Sequence, residues 1–136
     1  MAGCIGLTGC SDFLDAENKS NVESEKYFMS EEGFENLSTT PYFKLRAIYD
    51  GDPVNLFISG TDLYQKGRSN YADAALATYK NLNAENKTLL NFYKACYDGI
   101  QQCNTVIDYA NKGAAGSNVQ KRLNEAKFLK ALYYYL

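Results

Sequence analysis

The sequence predicts an all-α protein built from antiparallel helix pairs, and two periodic segments joined by a short connection support this prediction. The segment 85–111 places apolar residues at alternating steps of four and three, which is the spacing of one helix face. Its stripe consists of Leu89, Tyr93, Cys96, Ile100, Cys103, Ile107 and Ala110. The segment 117–136 has a similar stripe, which consists of Val119, Leu123, Ala126, Leu129, Tyr133 and Leu136. Because only 112–116 separate the segments, we expect the two helices to pack antiparallel.

The composition excludes several classes of protein. The 136 residues include 12 Tyr and 7 Phe but no Trp and no His. Without His, the commonest general base and the commonest metal ligand are missing, and no carboxylate pair stands out for a hydrolase. The net charge of −2 gives no electrostatic footprint for nucleic acid. We therefore expect no enzyme, no cofactor, no metal and no nucleic-acid partner.

The first residues are small or apolar and uncharged, and they lead into Leu7-Thr8-Gly9-Cys10. This order is typical of a bacterial lipobox, in which small residues flank the cleaved bond and the Cys thiol accepts the lipid. The basic start and the full apolar core of a signal peptide are incomplete. The segment 1–9 is therefore either a truncated signal peptide or a tail of small residues, and Cys10 is the candidate lipidation site. Polar residues without periodicity predict an extended tether over 10–26, before a helical domain over 27–136.

Residues 27–49 carry the first helical signal. Ser30 precedes two Glu, so it is a suitable N-cap with acidic residues in the first turn. Pro41 lacks the N–H that would bond to the preceding turn, which costs about 3 kcal/mol inside a helix. We therefore expect a break or a kink near 39–41 and a helix end at 50–53.

Residues 54–83 show no sustained period, because Gly, Ser and Asn interrupt every apolar run. We expect an ordered loop here, with one helical turn near 72–78. Asp50, Asp52 and Asp62 could form a calcium site or an acid–base cluster, but their spacing does not fit an EF-hand loop. Capping of turns is the favoured role for these three residues.

Cys96 and Cys103 are seven residues apart on the first stripe. On one helix their Cα atoms are roughly 10.5 Å apart, since each residue rises about 1.5 Å. A disulfide spans about 7 Å at most, so the two residues cannot bridge. We expect both to be buried as small apolar side chains rather than to bind a metal.

The last segment is apolar on more than one side. Phe128, Leu132 and Tyr135 form a second apolar row beside the stripe, and a helix covered so widely needs neighbours on two sides. Ser117 and Gln120 predict a capping box at its start. No Gly, Asn or Pro ends the helix, so we expect the chain to be the front part of a longer protein.

Three segments of five residues share the order apolar, basic, Ala, apolar, Tyr. They begin at Leu45, Tyr93 and Leu129, and the last two are 36 residues apart. This distance is close to the roughly 34 residues of a tetratricopeptide unit, in which a small Ala lets a neighbouring helix approach. Alternatively, any Tyr-rich amphipathic helix produces such matches, and the full tetratricopeptide signature is absent.

Three blocks of the chain follow one another in a characteristic order and spacing. They are Cys10-Ser11-Asp12-Phe13-Leu14-Asp15, then Phe92-Tyr93-Lys94-Ala95-Cys96-Tyr97-Asp98-Gly99-Ile100 with Cys103-Asn104-Thr105-Val106-Ile107, and finally Glu125-Ala126-Lys127-Phe128-Leu129-Lys130-Ala131-Leu132-Tyr133-Tyr134. Together they resemble the SusD/RagB family of outer-membrane nutrient-binding lipoproteins. The chain departs from the family pattern at 16–18, where a Pro is often found, and at Phe92, where relatives commonly have Trp.

The resemblance implies tetratricopeptide-like antiparallel helix pairs with an irregular loop region. It implies an acylated Cys10 that anchors the protein to the outer membrane, facing outward. It also implies a SusC-like TonB-dependent transporter as partner and a glycan or another nutrient as ligand, without catalysis. In the family most ligand contacts come from later segments, so Cys10 alone is carried over as a site.

Two functions of different classes follow from this sequence. A lipoprotein that captures glycans is favoured, and the alternative is a helical scaffold that binds a protein partner and no small ligand. Sugar rings stack on aromatic faces, but most of the tyrosines lie on helix stripes and are expected in the core. Tyr64 and Tyr71, in the irregular stretch, are therefore the candidate ligand contacts.

Overall fold

The structure is a computed structural model and describes residues 19–62 and 74–136. In these ranges the chain forms six α-helices and one 3₁₀ turn, without a strand. The elements are α1 Lys19–Met29, α2 Glu31–Tyr49, the 3₁₀ turn Asp52–Val54, α3 Asn55–Ile58, α4 Ala74–Thr78, α5 Lys87–Asn111 and α6 Val119–Tyr135. The predicted all-α class is confirmed, and α4 is the helical turn expected near 72–78. Within the described ranges, no helix has the length and apolar character needed to cross a membrane.

The extended conformation predicted for 10–26 is wrong from Lys19 onward, because α1 covers Lys19–Met29. Residues 10–18 lie outside the described residues. The polar sequence of α1 gives little amphipathic signal, which is why its helix escapes a pattern-based prediction. Phe28 and Met29 at its end pack against the core.

α1 and α2 meet in a sharp turn at Ser30, which caps α2 as predicted. The backbone N–H of Gly33 donates to the Ser30 hydroxyl oxygen at 3.2 Å. The same hydroxyl donates to the Tyr27 carbonyl oxygen at 2.7 Å. A Cβ at Gly33 would lie 1.9 Å from that carbonyl oxygen, so the turn requires Gly at this position.

α2 passes through Pro41 without interruption, so the predicted break is wrong. The Thr40 hydroxyl donates to the Leu37 carbonyl at 2.8 Å, which replaces the N–H that Pro41 lacks. The carbonyl of Pro41 in turn accepts a hydrogen bond from the Tyr133 hydroxyl at 2.5 Å. The helix end predicted at 50–53 is confirmed.

α2, α5 and α6 enclose the core as a three-helix arrangement. One cluster joins the ends of α2 and α6 to the middle of α5, and its buried members are Ile48, Ala95, Cys96, Ile100, Cys103, Leu129 and Tyr133. A second cluster joins the starts of α2 and α6 to the second half of α5, and its buried members are Phe34, Leu37, Val106, Ala114 and Ala126. α5 is therefore antiparallel to both neighbours, which confirms the prediction for the last two helices.

Arg122 connects α6 to α2 at the surface. Its guanidinium lies 2.6 Å from the Glu35 carboxylate on α2 and 2.9 Å from Glu125 on its own helix. The hydrogen bond from Arg122 lowers the pKa of Glu35. All three side chains are partly covered, so this pair of contacts holds α2 beside α6 with less screening than an exposed ion pair.

Cys96 and Cys103 are free and buried, as predicted. Burial raises the pKa of the Cys103 thiol to about 11, and it also raises the pKa of Cys96. Both thiols therefore stay protonated near neutral pH and serve as apolar packing groups.

The N-terminus of α6 differs from the predicted capping box. Its N-cap is Asn118, whose side chain makes no capping hydrogen bond, rather than Ser117. The N–H of Ser117 instead donates to the Glu31 carboxylate at 3.4 Å. A side chain from the start of α2 thus accepts a hydrogen bond at the start of α6, where the sequence predicted a cap from within the same segment.

The three repeated segments do not occupy equivalent positions. Ala95 is buried, whereas the corresponding Ala47 and Ala131 are exposed. The close approach of α5 and α6 occurs instead at Gly99, where a Cβ would lie 2.5 Å from the Tyr133 ring. The matches among these segments are therefore better explained by amphipathic helices rich in Tyr than by a strict structural repeat.

We expect Gly99→Ala to destabilise the protein by about 1–3 kcal/mol, because the added methyl group overpacks against the Tyr133 ring. Helix propensity alone predicts the opposite sign, since Ala is favoured over Gly by about 1 kcal/mol inside a helix. The free energy of unfolding in urea, followed by circular dichroism, separates the two effects. Ala131→Ser, at an exposed position of α6, is the control and should change stability by less than about 0.5 kcal/mol. A Gly99→Ala protein as stable as the wild type would contradict the close approach.

Candidate functional site

The surface of the described residues is rich in aromatic rings, which corrects the expectation that most tyrosines lie in the core. Of the ten tyrosines described, Tyr133 alone is buried. The exposed ones are Tyr27, Tyr42, Tyr49, Tyr79, Tyr93, Tyr97, Tyr134 and Tyr135. Tyr93 belongs to the predicted stripe of α5. The structure leaves it 59% exposed, so the first part of the predicted stripe is wrong at this position.

A cleft of about 640 Å³ lies where the end of α1, the start of α2 and the end of α5 meet. We call it the corner cleft, and it is lined by Glu25, Lys26, Met29, Ser30 and Lys112. The backbone N–H of Ala115 donates to the Met29 carbonyl at 2.9 Å, which fixes the connection between α5 and α6 beside the cleft.

Ion pairs hold the cationic wall of the corner cleft in place. The Lys112 ammonium lies 2.9 Å from Asp108 and 3.6 Å from Glu25. The hydrogen bond to Asp108 raises the pKa of Lys112, so this lysine stays charged. The cleft thus presents ammonium donors from Lys26 and Lys112 and acceptors from Glu25 and Ser30.

Aromatic rings adjoin the corner cleft. The Tyr109 ring centroid lies 5.3 Å from the Lys112 nitrogen, and the Phe28 ring meets Tyr109 edge to face at 5.5 Å. The Tyr27 ring lies 5.5 Å from Phe28, and its hydroxyl accepts a hydrogen bond from the Asn36 amide at 2.8 Å. Mixed hydrogen-bonding groups beside aromatic faces are the combination that binds sugars, whose faces are apolar and whose edges carry hydroxyls.

A second cleft of about 340 Å³ lies between α2 and α5. We call it the side cleft, and it is lined by Lys44, Ala47, Pro53, Asn91, Lys94, Ala95 and Asp98. An ion pair crosses it, with the Lys44 ammonium 3.1 Å from the Asp98 carboxylate.

The sequence singled out Cys10 for lipidation and Tyr64 and Tyr71 for ligand contact. Cys10, Tyr64 and Tyr71 lie outside the described residues. Asp50 caps the end of α2 and pairs with Arg46 at 3.1 Å, in agreement with a turn-capping role. The described ranges contain no cluster of acidic or Cys side chains that could hold a metal ion.

Sequence reasoning missed both clefts because each draws its lining from elements far apart in the chain. The corner cleft combines residues 25–30 with Lys112, and the side cleft combines α2, the 3₁₀ turn and α5. Ser30 carried a local signal for a helix cap, and Ala47, Lys94 and Ala95 belong to the repeated segments, but none of these signals indicates a cleft. No pattern in the sequence shows which turn of α2 faces which turn of α5.

Comparison with known proteins gives the family. A family model, SusD-like and described as starch-binding and associating with the outer membrane, matches residues 12–136. No curated protein and no solved structure matches the chain. Because the family match covers nearly the whole sequence, the protein belongs to the SusD-like family, a glycan-binding and non-catalytic family associated with the outer membrane.

Proposed function

We propose that the protein is a cell-surface lipoprotein subunit that captures glycans and delivers them to a SusC-like TonB-dependent transporter. The family match over residues 12–136 is the observation that carries this proposal. Acylation of Cys10 provides the anchor in the outer membrane. The corner cleft is the glycan site that we propose within the described residues.

The chemistry of the corner cleft suits a neutral glycan. Its volume of about 640 Å³ lies within the range of small-molecule sites and accommodates a short oligosaccharide. Lys26 and Lys112 donate hydrogen bonds to sugar oxygens, Glu25 accepts from sugar hydroxyls, and the exposed face of Tyr27 is available for stacking. The lining includes a single carboxylate, whereas glycosidases use a pair, which favours capture over hydrolysis.

We expect the wild-type protein to bind maltohexaose in isothermal titration calorimetry. The double variant Glu25→Gln/Lys26→Met should weaken binding about tenfold or more, because hydrogen bonds to charged groups contribute about 1.5–3 kcal/mol each. The matched control Glu85→Gln/Lys80→Met changes the same residue types at exposed positions away from the cleft and should leave the Kd unchanged. Equal binding by both double variants would remove the corner cleft from the proposal.

The anchor is tested separately through Cys10. Cells given a radiolabelled fatty acid should label the wild-type protein and should not label Cys10→Ser. The wild type should fractionate with the outer membrane and be cleaved by a protease added to intact cells, whereas Cys10→Ser should be released from the membrane. Labelling of the variant at wild-type level would contradict acylation at this residue.

Exposed rings on α6 support contact with the transporter. Phe128 is 69% exposed and Tyr135 is 86% exposed. The two rings are seven residues apart and therefore lie on the same face of α6, and exposed apolar groups that share one face are typical of surfaces that bind another protein. The same rings favour the second candidate function, a helical scaffold that binds a protein partner without a small ligand.

We expect a SusC-like transporter from the same cells to co-purify with the tagged wild-type protein and to be lost with Phe128→Ser/Tyr135→Ser. Phe43→Ser, which removes a ring 68% exposed on α2, is the control and should retain the transporter. Maltohexaose binding should be equal in all three proteins, since none of these rings lines the corner cleft. Co-purification of the transporter without any glycan binding would favour the scaffold function.

A further inference from the structure

We infer that the side cleft is a second glycan site and that it selects a sugar unit carrying one carboxylate, as in a uronic acid. This inference rests on the proposed function for the class of ligand, a glycan. It concerns a different cleft, which lies between α2 and α5 and shares no residue with the corner cleft.

The charges that line the side cleft do not cancel. Lys44 and Asp98 neutralise each other at 3.1 Å. Lys94 adds a second ammonium group to the lining, and among the described residues no carboxylate lies within ion-pair distance of its nitrogen. The described lining of the cleft therefore has an excess of one positive charge, although the whole chain has a net charge of −2. A monoanionic ligand supplies the missing partner for Lys94.

The position of Asp98 limits how much negative charge the ligand can carry. Its side chain is 39% exposed and lines the same cleft as Lys94. A dianion such as a phosphate monoester would be repelled by this group, because like charges at close range are unfavourable. A uronic acid avoids the conflict, since its carboxylate pairs with Lys94 while its hydroxyls donate to Asp98. The Asn91 amide adds both a donor and an acceptor.

The size and the walls of the side cleft fit one or two sugar rings. Its volume of about 340 Å³ is near the lower end of the range for small-molecule sites. Ala47, Pro53 and Ala95 supply an apolar floor. The side chains of Lys44 and Asp98 are about one-third exposed, so a ligand bound there replaces water at groups that are already partly desolvated.

A pair of tyrosine rings stands beside the polar lining on α5. The ring centroids of Tyr93 and Tyr97 are 4.5 Å apart, and both side chains are more than half exposed. Tyr97 is adjacent to Asp98 in the sequence and one helical turn from Lys94. Its ring is therefore placed to stack on a sugar unit that extends out of the cleft.

Calorimetry with a panel of uronate trimers, in which one galacturonate, mannuronate or glucuronate unit is joined to two neutral sugars, tests the inference on the full chain. We expect at least one trimer to bind, its methyl ester to bind about tenfold more weakly, and added NaCl to weaken binding of the acid form. Lys94→Met should reduce that binding about tenfold or more, and Lys94→Arg should restore most of it. Lys87→Met, at an exposed position of the same helix, is the matched control and should bind as the wild type does.

The outcomes separate this inference from the proposed function. Maltohexaose binding should be unchanged in Lys94→Met and weakened about tenfold or more in Glu25→Gln/Lys26→Met. Binding of the uronate trimer should be weakened in Lys94→Met and unchanged in Glu25→Gln/Lys26→Met. If the wild type binds the trimer through Lys94 but does not bind maltohexaose, the role of the corner cleft is overturned and the side cleft remains supported. The inference is overturned if no trimer binds, if the methyl ester binds as tightly as the acid, or if Lys94→Met binds as the wild type does.

Discussion

The packing of the Tyr133 side chain determines how the three long helices sit against one another. Its ring lies against Gly99 of α5, and its hydroxyl donates to the Pro41 carbonyl of α2. The side chain is 2% exposed, so the hydroxyl has no access to water and needs this protein acceptor. Burial raises the pKa of Tyr133, which keeps the phenol protonated as a donor. One residue of α6 thus fixes the positions of both other helices.

The clefts are consequences of that arrangement. With Pro41 and Gly99 both held by Tyr133, the Lys44 turn of α2 faces the Asp98 turn of α5, and the side cleft forms between them. At the other end of the bundle, Arg122 holds α6 to α2 through Glu35. The corner cleft opens beside that end. Both proposed sites therefore present their polar groups on helices whose relative positions are set by the core, which limits the entropy lost when a ligand binds.

Exposed aromatic rings lie beside both proposed sites and on the surface of α6. The chain has many Tyr and Phe, yet the buried core of the described residues consists mainly of aliphatic side chains and Cys, with Phe34 and Tyr133 as its buried rings. Eight of the ten described tyrosines are exposed, and there a Tyr presents an apolar face and a polar hydroxyl at once. Such rings suit both sugars and protein partners. The polar groups that accompany them distinguish the surfaces: charged clefts on the α1–α2–α5 side, and exposed rings such as Phe128 on α6.

Features that depend only on residues within one helix can be predicted from the amino-acid sequence. The stripes of α5 and α6, the Ser30 cap and the inability of Cys96 and Cys103 to bridge all follow from spacing along one helix. Tertiary structure decided the rest. α2 continues through Pro41, because the Thr40 hydroxyl donates to the Leu37 carbonyl in place of the missing Pro41 N–H. The Tyr133 hydroxyl of α6 in turn donates to the Pro41 carbonyl. Which tyrosines are buried, and which charged residues share a cleft, depends on how far each helix overlaps its neighbours, and no single segment contains that information.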